Sequence, residues 1–252
     1  MINWRERFLA FGIHFLVTAA LGACAAALIF LVWFPHPFAT MVGGTELFML
    51  VVGCDLALGP LISLVIYNSR KSRRELLADY TIVGIVQIAA LVYGVYIVAG
   101  TRPVYVAFST DRLEVVTARD ITRVELEAAR EPYRSLPLGG PRYVNVVVPP
   151  DQGQDALTQS LKGNEEHQRP KFFVPYQTAL REIVSKAHVL GMLQRKFPAR
   201  SAEIEQAARH AGAPVERLLW LPVHHRKGFW TALIDRQTGL PVRYVALDPY
   251  GN

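Results

Sequence analysis

The sequence predicts a membrane protein: a three-helix transmembrane bundle over residues 1–100, then an α+β domain over residues 101–252 that ends in an antiparallel meander. Three observations carry that expectation. Residues 1–100 are almost unbroken apolar sequence whose few charges fall at the joints of three runs, about 8–34, 47–66 and 80–99. Four cations in five positions (Arg70, Lys71, Arg73 and Arg74) fill the connection between the second and third runs. From Thr101 onward, strand-forming runs, turn residues and helical periodicity alternate as in a soluble domain, and about 150 residues suffice for one hydrophobic core.

The first run, Phe8 to Phe34, holds no acid or base except His14. It is long enough to cross a hydrocarbon layer about 30 Å thick. Ala23-Cys24-Ala25 resembles the small-residue site at which a signal peptide is cleaved, but the apolar run continues through Trp33, which favours an uncleaved signal anchor. Residues 35–46 contain Pro35, Pro37 and Gly43-Gly44 and no Lys or Arg; Trp33, Phe34 and Phe38 stand where an interfacial aromatic belt is expected. The second run, about Leu47 to Ile66, carries Asp55 and Gly59-Pro60, and the third, about Tyr80 to Ala99, is interrupted only by Gln87 and glycines. Short loops rich in Lys and Arg are retained on the cytoplasmic side. Arg70, Lys71, Arg73 and Arg74 therefore set the expected topology: N-terminus inside, first loop outside, basic loop inside, residues 101–252 outside.

In the second half, Val104–Phe108 and Leu113–Val116 are strand-forming runs joined by Ser109-Thr110-Asp111-Arg112, which predicts a hairpin. Arg142 to Val148 predicts another strand. Residues 151–171 read mostly as loop, with a short helix near 154–161. Tyr176, Leu180, Ile183, Val184, Ala187 and Leu190 fall at helical spacing and predict one amphipathic helix over about 174–195. Ser201 is placed to cap a second helix that stops at Gly212. Leu218–Val223, Phe229–Ile234 and Val242–Ala246 then form the predicted meander, with Gly239 supplying a positive φ in the last turn.

Composition narrows the chemistry. The net charge of +6 divides as six Lys/Arg against five Asp/Glu in residues 1–100, leaving +5 for the rest, and no dense basic stripe interleaved with aromatics marks a nucleic-acid surface. Both cysteines, Cys24 and Cys54, lie in apolar runs, so residues 101–252 have neither a disulfide nor a thiolate metal site. No Gly-Lys-Ser/Thr follows the Gly-Gly pairs and no Gly-x-Ser-x-Gly elbow occurs, so the expectation is a protein without enzymatic activity, cofactor or metal. His224-His225 invites a metal reading, but neighbouring strand residues face opposite ways.

Asp55 is the one carboxylate in the middle of an apolar run, where an ionisable side chain is costly and a functional suspect by default. An aspartyl-protease reading needs a second carboxylate sharing one water, and Asp79 lies at the edge instead. Asp55 is expected to accept hydrogen bonds within the bundle, from His14 or Gln87, or to meet a polar group on a partner helix. Gly22 and Ala26 form a small-xxx-small spacing that lets helices approach closely; it serves packing on the chain's own spans or docking of a foreign helix equally well.

Several runs in this order resemble the type IV pilin accessory protein family: Phe11-Gly12-Ile13-His14, Trp33-Phe34-Pro35-His36-Pro37-Phe38 before Gly43-Gly44-Thr45-Glu46-Leu47, and Asp55-Leu56-Ala57-Leu58-Gly59-Pro60-Leu61-Ile62. Arg102-Pro103-Val104-Tyr105, Asp111-Arg112-Leu113-Glu114-Val115-Val116, and Thr231-Ala232-Leu233-Ile234-Asp235 ahead of Thr238-Gly239 continue the likeness. It covers nearly the whole chain and is weak across 125–210. The resemblance implies an inner-membrane protein of Gram-negative bacteria with its second domain in the periplasm, no cofactor, and a role beside a cognate major type IV pilin as a dedicated chaperone or assembly modulator. The family has no catalytic motif to carry over. A different class also fits the layout, a membrane-anchored periplasmic sensor of a small ligand, although residues 1–7 and 68–79 are too short to hold an output domain.

Overall fold

An apolar run of about twenty residues satisfies its own backbone most completely as a helix. All three runs are helical in the computed structural model, which describes residues 4–67 and 71–251. Helix α1 (Trp4–Ala27) continues into a π-helical turn, Leu28–Trp33, closed by the Phe34 N–H donating to the Ile29 carbonyl at 2.8 Å. The short helix α2 (Phe38–Met41) leads through Gly43, whose φ of 83° suits glycine alone, into α3 (Gly44–Ile66). Helix α4 (Arg73–Thr101) completes the set. The continuous helix Trp4–Trp33, α3 and α4 are each long and apolar enough to cross a membrane. The chain divides into two compact units, Met1–Thr101 and Arg102–Asn252.

Within the N-terminal unit α3 is the middle helix, packed along both α1 and α4. Small residues let the backbones close up: Gly22 of α1 lies against Val52, and Gly94 of α4 against Val51. Ile29, Phe34, Phe48 and Val98 form the buried cluster at one end, with Ala26 and Trp33 packed against it. Phe34 and Phe38 are both buried, so they plug the bundle rather than standing in an interfacial belt. The third helix starts at Arg73, several residues before the expected Tyr80. Ser72 and Glu75 form a capping box, the Ser72 N–H donating to Glu75 Oε2 at 2.7 Å and the Glu75 N–H to Ser72 Oγ at 3.3 Å. That places Arg73 and Arg74 in the first helical turn instead of a loop, while Lys71 pairs with Asp79 at 2.6 Å. Arg70 lies outside the described residues.

In the C-terminal unit the hairpin of β1 (Pro103–Ser109) and β2 (Arg112–Thr117) turns at Thr110, φ 62°. Helix α5 (Arg123–Ala128) is capped by Thr122, and β3 (Arg142–Val146) runs parallel to β1. Helix α6 (Gly153–Ser160) precedes β4 (Phe173–Pro175), which is antiparallel to β3. The segment between them is stapled down by Arg169, only 4% exposed, which donates to Glu125 and Asp155 and stacks on Phe172.

The single long helix expected over 174–195 is broken into α7 (Leu180–Lys186), the two-residue strand β5 (His188–Val189) and α8 (Leu190–Lys196). The break has a tertiary cause. His188 and Val189 pair with Trp220 and Leu219, and the Trp220 indole N–H donates to the Val189 carbonyl at 3.2 Å. Helix α9 (Ser201–Arg209) follows, with Ser201 as its first residue and Arg200, not Ser201, at the cap position.

Strands β6 (Leu218–His225), β7 (Gly228–Asp235) and β8 (Pro241–Val245) are antiparallel neighbours, but they do not form a separate antiparallel meander. They are one end of a mixed eight-stranded sheet in the order β4-β3-β1-β2-β6-β7-β8, with parallel pairs β1/β3 and β2/β6 and with β5 sharing an edge of β6. The reason lies in β6, which is buried along nearly its whole length and so needs cover and neighbours on every side. The sheet is strongly curled. Tyr143 of β3 and Tyr244 of β8 touch through their hydroxyls at 2.9 Å although four strands separate them in the order. Tyr176 fills the concave side and donates to the Gly239 carbonyl at 2.8 Å. Burial pushes the Tyr176 and Tyr244 hydroxyls well above their usual range, so both stay protonated donors. Gly239 is required twice, for its φ of 69° and because a Cβ there would come 2.8 Å from Leu180.

Candidate functional site

The N-terminal unit builds a polar layer inside apolar helices. His14 of α1 meets Gln87 of α4 at 2.6 Å through Nε2 and Ser63 of α3 through Nδ1. The Gln87 Oε1 is a carbonyl and only accepts, so Nε2 carries a proton toward it, while Nδ1 and the Ser63 hydroxyl form the second bond. One imidazole thus ties all three long helices together. Gly59 makes room for it: a Cβ there would stand 1.9 Å from Gln87 Nε2 and 3.1 Å from His14 Nε2.

Next to this layer, between α1 and α4 and floored by α3, is a notch of about 120 Å³. Thr18 and Leu21 line it from α1, Gly84 and Leu91 from α4, and Asp55 from α3. His14, Gln87 and Gly22 reach it as well, so three of the four predicted candidates converge on one place. Ala26 does not, because it packs one turn away against the buried cluster of Ile29 and Phe48. The expected hydrogen bond to Asp55 is not made: both ring nitrogens of His14 are engaged with Gln87 and Ser63, and Gln87 meets His14 through its carbonyl. Among the described residues no hydrogen bond or ion pair reaches the Asp55 carboxylate, and the Gln87 Nε2 is buried without a partner.

Ser63 was not legible as a member of this layer, since an isolated serine in an apolar helix is common. Its position one turn beyond Gly59, on the side that approaches His14 and Gln87, is the feature that marks it.

The C-terminal unit holds a second polar cluster. Glu114, 6% exposed, accepts from His224 Nδ1 at 2.7 Å and pairs with Arg112 at 3.1 Å, with His167 4.0 Å away. His225 points to the other face of β6, where it is buried beside Trp230 and its Nδ1 accepts the Lys227 N–H at 3.2 Å. Burial, reinforced by His224 and Lys227, pushes its pKa down to about 4. Among the described residues no three His, Cys, Asp or Glu side chains are arranged to hold a metal ion.

A family model described as fimbrial assembly protein FimB matches residues 2–43, the stretch that contributes His14, Thr18 and Gly22. The fimbrial assembly protein of serogroup I from Dichelobacter nodosus is 30% identical over 233 residues, covering 91% of each chain. The serogroup E1 protein of the same organism is 29% identical over the same extent, and that of serogroups C1 and C2 is 36% identical over 118 residues, 47% of this chain and 90% of that one. No solved structure matches. With similarity that runs through both units and almost end to end, this chain belongs to the fimbrial assembly protein family.

Proposed function

We propose that this chain is a non-enzymatic accessory protein that stabilises a cognate major type IV pilin in the bacterial inner membrane and modulates its assembly into fimbriae. The observation that carries the reading is the similarity to fimbrial assembly proteins over 91% of the chain. In this reading the three long helices cross the membrane with the N-terminus and the Lys71–Arg74 region in the cytoplasm. The C-terminal unit then lies in the periplasm. The basic residues favour that orientation because short cationic loops are retained inside.

The layout suits a partner with one membrane helix and an outer head. The bundle grips the helix in the lipid and the mixed sheet meets the head. Strand β8, which ends the strand order beside β7, offers an edge to which an extended segment of the head adds. Deletion of the gene tests the reading. The expected result is a fall in pilin abundance and surface fimbriae, restored by the wild-type chain. Unchanged pilin level and unchanged fimbriation in the deletion strain would reject it.

A further inference from the structure

The notch between α1 and α4 has three properties that together specify an occupant. It opens between two helices that α3 holds apart, and its volume of about 120 Å³ is roughly ten times what one water needs. Its surroundings are apolar and uncovered, with Ile88 57% and Val17 55% exposed. At its floor stands the Asp55 carboxylate, which no described residue reaches by hydrogen bond or ion pair. A half-buried carboxylate that faces an apolar notch within a membrane span and has no donor is unfavourable. His14 does not relieve it, since both of its ring nitrogens are engaged with Gln87 and Ser63, and the Gln87 Nε2, buried without a partner, makes no bond to it.

Resting on the proposed function above, we infer that the notch is the docking site for the transmembrane helix of the fimbrial subunit, and that this helix inserts a side chain carrying a hydrogen-bond donor (hydroxyl, amide or ammonium) onto Asp55. A fourth helix lying along α1 and α4 covers Ile88 and Val17 and brings the missing donor. An acyl chain would cover the same apolar rim and leave the carboxylate unsatisfied, which is why a helix is the better match. Asp55 then serves the partner, while His14, Ser63 and Gln87 fix the helices that form the walls.

Photocrosslinking in cells that express the full chain and the subunit tests this. The probe p-benzoyl-Phe is placed at Ile88, which lines the notch, and at Val86, which is on the same helix but does not. The expected result is subunit crosslinked from Ile88 well above Val86. Asp55→Leu should lower that product roughly three- to fifteenfold, the range expected for one interhelical hydrogen bond. Asp55→Asn, which keeps an acceptor, should retain much of it. Thr18→Phe narrows the notch while keeping the carboxylate and should also reduce crosslinking, so the test survives if Asp55→Leu fails to accumulate. Equal yields from Ile88 and Val86, products with lipid only, or indifference to both Asp55→Leu and Thr18→Phe would overturn the docking site. If the subunit still co-purifies in that case, the accessory role stands without the notch. If it neither crosslinks nor co-purifies, both fall.

Discussion

Replacing Gly94 by alanine puts a methyl group where α3 leaves no room. The new Cβ would stand 2.3 Å from Val51 Cγ1, 2.8 Å from Cγ2 and 3.1 Å from Cβ, where ordinary contacts begin at 3.4 Å. The overlap at Cγ1 is therefore about 1.1 Å. Valine cannot swing clear, because it is branched at Cβ and a helix admits essentially one χ1 rotamer. The two helices must part, and overpacking of this kind costs about 1–3 kcal/mol. Alanine also gains up to about 1 kcal/mol of helix propensity, so the informative comparison is with Gly53→Ala. That position has nothing within 4 Å of a Cβ and makes the same propensity gain. Thermal unfolding of the purified full chain in detergent should place Gly94→Ala below Gly53→Ala by about 1–3 kcal/mol. Adding Val51→Ala should recover part of the loss, with a coupling of about 0.5 kcal/mol or more. Equal stability of the two alanine variants, or strict additivity with Val51→Ala, would refute the close approach of α3 and α4.

Other consequences follow from single contacts. Gly59→Ala expels the Gln87 amide and breaks its bond with His14; it should lower the unfolding midpoint by the equivalent of about 1–3 kcal/mol, and much less in a Gln87→Ala background, as the same detergent unfolding would read. His225 is neutral in the folded chain, with a pKa near 4 against the ordinary 6.5, so the unfolded chain binds the extra proton between those values. Stability should fall as pH drops from 6.5 to 4, by at most about 3 kcal/mol from this group. A pH series comparing wild type with His225→Gln should show a shallower fall in the variant. Asp235 accepts from Arg217 at 2.6 Å and from the Gln237 N–H and Thr238 hydroxyl, holding the β7–β8 turn. Asp235→Ala should destabilise the C-terminal unit by about 2 kcal/mol, read as an earlier protease-sensitive transition under heating.

What the sequence made legible was whatever repeats locally. Three apolar runs long enough for a membrane became three long helices, and the turns at Thr110 and Gly239 fell where strand-forming runs and a glycine placed them. What it concealed depended on distant partners. Tyr176 to Leu190 has helical spacing, yet His188 and Val189 leave the helix because Trp220 and Leu219 offer them a sheet edge. The Ser72–Glu75 capping box was present in the sequence but masked by the surrounding cations, so the third helix begins earlier than its apolar run. The polarity of Asp55, His14 and Gln87 marked them as candidates. Only the fold shows that His14 bridges Gln87 and Ser63, while Asp55 lines the notch without a hydrogen bond among the described residues. Glu114 reads as an ordinary strand residue and becomes the centre of a buried cluster only when His224 arrives from 110 residues away.

The most direct test of the account is purification of the tagged full chain from its host after in-cell crosslinking, with mass spectrometry of the proteins that accompany it. A major type IV pilin should be enriched over equally abundant inner-membrane proteins. A pilin no more enriched than those proteins, under conditions that capture other membrane complexes, would contradict it.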